Sequence, residues 1–68
     1  MTRVKINGVE EEVAVTSVSE LLAARGVDPG ARFLAVAVNG AVIRRAEWPS
    51  KRLAPGDHIE IVRPFSGG

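Results

Sequence analysis

Few groups in this chain can do chemistry. The 68 residues include no cysteine and one histidine, His58. A thiolate nucleophile, a disulfide scaffold and a Cys-based zinc site are therefore excluded, and any sulfur the protein handles must come from elsewhere. His58 has no Cys and no second His to complete a ligand set, so it reads as a solvent-facing strand residue. Glu10-Glu11-Glu12 reads as a solvated strand. Arg44-Arg45 either meets an acidic partner or is a pair of solvated charges. No spacing fits a metal motif, a phosphate loop or a nucleophile–base pair, so no catalytic residue and no metal ligand is expected. The remaining candidate is the terminus, Phe65-Ser66-Gly67-Gly68. Gly67 and Gly68 carry no side chain, so the reactive group there is the Gly68 α-carboxylate. A Gly-Gly thread is narrow and reaches φ/ψ values closed to other residues. It can carry that carboxylate through a tunnel into a partner. The plain alternative is a disordered end.

Composition limits what else the chain can be. Sixty-eight residues make one domain, which buries only about 60% of its unfolded surface and leaves little room for a pocket. Apolar residues are 46% and charged residues 25%, ordinary for a globular domain. Nine basic and eight acidic residues give a net charge of +1, too small a bias to predict nucleic acid or an anionic membrane as partner. The longest apolar run, Phe33 to Val38, is far short of a membrane span. The start opens directly into a strand pattern, so no signal peptide is expected. A cytoplasmic domain without repeats is expected, with residues 1–63 as its body and 64–68 as a flexible tail.

The elements that would hold the tail follow from periodicity and turn chemistry. Arg3-Val4-Lys5-Ile6 alternates charged and β-branched residues, and Asn7-Gly8 is the strongest short-range hairpin signal. A two-residue loop opposes Ile6 to Val9, Lys5 to Glu10, Val4 to Glu11 and Arg3 to Glu12. That register places Lys5–Glu10 and Arg3–Glu12 across from each other. Val4, Ile6, Val9, Val13 and Val15 share the other face. Glu11 is the misfit there, to be absorbed by a bulge or a fraying edge. Ser17 and Glu20 fit a capping box. Val18, Leu21, Leu22 and Arg25 follow helical spacing, and Gly26 is placed as the left-handed C-terminal residue. Asp28-Pro29-Gly30 is a turn. Leu34-Ala35-Val36-Ala37-Val38 reads as a central strand, with Ala35 and Ala37 outward. Asn39-Gly40 leads to a short strand at Val42-Ile43. Arg44 to Lys51 is irregular, with Trp48 as an anchor to the core. Pro55-Gly56-Asp57 turns into the last strand, His58 to Val62, with Ile59 and Ile61 inward and Val62 outward. Strand, strand, helix, strand, short strand, strand is an α+β order. It predicts a mixed four- to five-stranded β-grasp (ubiquitin-like) sheet with one helix across one face and the last strand near the middle.

Several of these residues together carry a family resemblance. Val38-Asn39-Gly40, Val42, Arg44-Arg45, Trp48, Leu53, Gly56-Asp57, Ile59-Glu60-Ile61-Val62 and Gly67-Gly68, in this order and spacing, resemble the ThiS-type sulfur carriers of thiamine biosynthesis over essentially the whole chain. Ile43 departs from the pattern where many relatives have proline before the arginine, and Phe65 where several have valine. The resemblance implies that a ubiquitin-activating-like (ThiF-like) adenylyltransferase uses ATP and Mg²⁺ to adenylate Gly68. A persulfide sulfur-donor protein then converts it to a thiocarboxylate, and thiazole synthase (ThiG-like) takes the sulfur. The carrier would bind no cofactor itself and would not be an enzyme. The same fold and tail also serve a MoaD-like small subunit of molybdopterin synthase, a protein-conjugating modifier or a non-covalent binding module.

Three further expectations concern docking. Phe65, beside the tail, either docks on a partner or packs back on Trp48 or Pro64. Ala35, Ala37 and Val62 form a flat, weakly apolar outward face that either meets a partner or is neutral surface. Gly67 keeps the approach to the Gly68 carboxylate unobstructed.

Overall fold

The computed structural model describes residues 1–28 and 30–63; the expected tail, 64–68, lies outside them, as does Pro29. The chain forms β1 (Thr2–Ile6), β2 (Val9–Val13), α1 (Val18–Ala24), β3 (Ala35–Val38), β4 (Ala41–Ile43), a single 3₁₀ turn (Arg45–Glu47) and β5 (His58–Val62). Five strands make one sheet in the order β2-β1-β5-β3-β4. β5 pairs parallel with β1 and antiparallel with β3. Two hairpins thus flank the last strand, and α1 covers one face. This is the β-grasp arrangement, with five strands rather than four.

Both hairpins turn on Asn-Gly. Asn7 (φ 49°) and Gly8 (φ 86°) are left-handed, as are Asn39 (φ 54°) and Gly40 (φ 83°), the primed-turn geometry that matches strand twist. The first hairpin has the expected register, from Thr2↔Val13 to Ile6↔Val9. Its ion pairing differs. Arg3 Nε bonds Glu10 Oε1 diagonally at 2.9 Å, in place of the directly opposed pairs. Nor does Glu11 need a bulge: the register runs through it unbroken, and its carboxylate receives Arg25 Nη1 at 3.0 Å on both oxygens. Arg25 therefore caps the end of α1 and serves as counter-ion to the misfit. Val15 lies beyond the end of β2 but still packs against the core.

The core lies between the sheet and the helix. Val4, Ile6, Val36, Val38, Ile59 and Ile61 supply the sheet side, and Val18, Leu21 and Leu22 the helix side. Each such side chain contributes about 1.5–3 kcal/mol when fully buried. α1 has seven residues, too few to persist alone. Its free amides are met by neighbouring groups: Ser17 Oγ accepts from Glu20 N, Lys51 O from Val18 N and Trp48 O from Ser19 N. The Glu20 carboxylate accepts from Thr16 N (2.8 Å) and Thr16 Oγ1 (3.0 Å). The capping box forms, but its carboxylate reaches Thr16, one residue before the cap. At the other end Gly26 (φ 74°) allows Val27 N to bond Leu22 O, a Schellman closure. Trp48 anchors the connection between β4 and β5 as expected: it is 2% exposed, and its Nε1 donates to Ile43 O at 2.9 Å. Among the described residues no helix is long and apolar enough to cross a membrane.

Candidate functional site

The candidate site is built on β5, the strand that leads to residues 64–68. Ile59 and Ile61 are buried, while His58, Glu60 and Val62 alternate outward. On the β1 side, Lys5 N donates to Asp57 O and Asn7 N to Ile59 O, both at 2.9 Å. One step further along β5, the N–H and C=O of Ile61 face the same way, but β1 has already turned back. The Asn7 side chain takes the place of the missing strand. Its Oδ1 accepts from Ile61 N at 2.8 Å, and its Nδ2 donates to Ile61 O at 3.3 Å.

Asn39 does the same on the β3 side. Its backbone N donates to His58 O at 2.7 Å and its Oδ1 accepts from His58 N at 2.9 Å. Asn39 Nδ2 also donates to Asp57 Oδ1, and Asp57 Oδ2 accepts from Ala54 N to close the turn into β5. Each Asn-Gly turn therefore completes a ladder on the central strand. β5 is held at its first residue by Asn39 and near its last by Asn7.

The face away from α1 divides along β5. On the β1–β2 side it carries Arg3, Lys5, Glu10 and Glu12. The hydrogen bond and charge of Arg3 hold the Glu10 carboxyl below the usual carboxylate range, and Glu10 in turn raises Arg3. On the β3–β4 side the face is apolar. Ala35 pairs with Val62, and Ala37 with Val42. Val62 is 60% exposed and Val42 75%. The three expected docking residues within the described part, Ala35, Ala37 and Val62, are thus adjacent on one outward face. Ala37 is half-buried and Ala35 exposed. Phe65, Gly67 and Gly68 lie outside the described residues. His58 is exposed on the same face, beside Lys5 in register. Among the described residues no three His, Cys, Asp or Glu side chains gather into a metal-binding group.

Sequence reasoning missed the roles of four residues. Val42 extends the apolar half of the face, a position given away only by the β3–β4 register. Asn7 and Asn39 looked like turn formers, and nothing local marks them as clamps on β5. Phe33, read as part of an apolar run, is 80% exposed and has a left-handed backbone at φ 62°.

The comparisons agree with this geometry. The crystal structure of a thiamine biosynthesis protein (ThiS) from Geobacter metallireducens superposes with a TM-score of 0.79 at 28% identity, covering 98% of this chain and all of that one. The solution structure of a thiamine biosynthesis protein from the same organism gives 0.78 at 28% identity, covering 98% of this chain and 88% of that one. No curated protein sequence matches the chain. The ThiS family model matches residues 4–68, nearly the whole length, and the chain belongs to the ThiS family.

Proposed function

We propose that this chain is a sulfur carrier of thiamine biosynthesis that works through the Gly68 carboxylate. The observation that carries the reading is the family match, which runs through both terminal glycines. The central position of β5 supports it, because a strand clamped on both sides gives the tail a fixed origin.

The chemistry begins with a poor electrophile. A carboxylate oxygen of Gly68 attacks the α-phosphorus of Mg·ATP on an adenylyltransferase, and pyrophosphate leaves. The terminal sulfur of a persulfide on a donor protein then attacks the acyl-adenylate carbon and AMP departs. A second thiol cleaves the resulting acyl disulfide and is itself oxidised to a disulfide. This leaves a Gly68 thiocarboxylate for thiazole synthase. ATP and Mg²⁺ belong to the activating partner. The chain is a recycled cytoplasmic co-substrate and supplies no catalytic group. Gly67 leaves the last step of the path free of a side chain, and Phe65, Ala35, Ala37 and Val62 are the partner-docking residues.

The test is pyrophosphate–ATP exchange by the adenylyltransferase of the same organism. Exchange should require the carrier and vanish when Gly68 is deleted. Exchange that persists without Gly68 would refute the reading. Sulfur transfer to thiazole synthase, and not to the large subunit of molybdopterin synthase, assigns the pathway.

A further inference from the structure

Phe33 is out of place by both of its physical measures. Its backbone sits at φ 62°, a region bulky side chains avoid. Its side chain is 80% exposed, so no burial offsets that strain. The bend itself has a reason: it precedes Leu34, which enters the core at 6% exposure. The bend explains the backbone and not the choice of an aromatic, since glycine would meet the same geometry without strain. Strain kept without a packing return points to a role in binding.

Its position says what it binds. Phe33 stands two residues before Ala35, and Ala35 is in register with Val62, the last residue of β5. Phe33 therefore lies at the end of the apolar half-face from which the chain departs. After Arg63 only five residues remain before the Gly68 carboxylate, a span of at most about 18 Å when fully extended. A partner whose active site receives that carboxylate must rest on this end of the sheet. Arg32, exposed, immediately precedes Phe33 in the chain.

We infer that Phe33 is a docking anchor for the adenylating partner, inserting into an apolar pocket with an acidic rim beside the mouth of that partner's active site. The inference rests on the sulfur-carrier reading and adds to it a residue outside the tail.

The test is Phe33→Gly, measured by pyrophosphate–ATP exchange as a function of carrier concentration, with the melting temperature recorded alongside. Loss of one aromatic anchor should raise KM for the carrier by about tenfold or more. The kcat should be little changed and the melting temperature equal to or above wild type, because the substitution removes strain. Phe33→Tyr should restore KM. An unchanged KM in Phe33→Gly would overturn the inference. So would a lowered melting temperature accompanying the loss, since that marks a structural role. If wild-type carrier supports no exchange at all, the carrier reading itself fails and takes this inference with it.

Discussion

Replacing Asn7 with glycine isolates the clamp on β5 from the turn that carries it. Glycine accepts the left-handed conformation of position 7 (φ 49°), so the hairpin can still close. What disappears is the side chain that bonds Ile61 N at 2.8 Å and Ile61 O at 3.3 Å. Ile61 is 8% exposed, and leaving a buried amide unpaired costs about 1–3 kcal/mol. The longer bond to Ile61 O and the extra unfolded-state freedom of glycine add about 0.5–1 kcal/mol. The total is about 1.5–4 kcal/mol. A domain of 68 residues has only about 3–10 kcal/mol in all. At about 4–8 °C per kcal/mol the melting temperature should fall by roughly 6–32 °C. Urea unfolding followed by far-UV circular dichroism measures the loss, and amide exchange locates it at Ile61. Asn7→Asp keeps the acceptor for Ile61 N but sets a carboxylate against Ile61 O, so it should cost less, with part of the loss recovered at low pH where the acid can donate. A change below about 0.5 kcal/mol in Asn7→Gly, the scatter of neutral surface substitutions, would refute the clamp; so would unaltered protection of the Ile61 amide.

Two other outcomes follow from the same structure. Hydrogen bonds from the backbone and side chain of Thr16 hold the Glu20 carboxyl below its ordinary value of 4.5. Its contribution is therefore present above that value and lost as pH falls through the lower folded-state value. Urea midpoints of wild type and Glu20→Gln should differ at neutral pH and converge in acid, and a pH-independent gap would contradict this. Gly67→Val should leave the melting temperature unchanged and impair adenylation, read by pyrophosphate–ATP exchange; unimpaired exchange would remove the argument for a narrow path to Gly68.

Much of the fold was legible because its signals are local. Two Asn-Gly dipeptides fix two hairpins and their registers, and the Ser17–Glu20 spacing fixes the start of α1. The inward set of β5 follows from alternation alone. What could not be read depends on groups far apart in sequence. Asn7 and Ile61 are 54 residues apart, and Asn39 and His58 are 19 apart. Nothing near either asparagine distinguishes a clamp from a turn former. Glu11 broke the alternation on its face, and its resolution came from Arg25 at the end of a helix 14 residues on. Phe33 continues an apolar run that favours a strand, and only the need to bring Leu34 into the core bends the backbone there. Of the candidate site, Ala35, Ala37 and Val62 were legible because each lies on a strand with clear alternation. Val42 was not, because its place on the same face depends on which strand β4 joins.

On the proposed function, one carboxylate, that of Gly68, exchanges an oxygen for sulfur. Intact-mass spectrometry of the carrier after incubation with its adenylyltransferase, Mg·ATP and a persulfide donor tests it directly. The mass should rise by the difference between sulfur and oxygen, with the gain located by fragmentation at Gly68 and absent when ATP is withheld. An unchanged mass under conditions that support pyrophosphate exchange, or a gain located at any other residue, would contradict it.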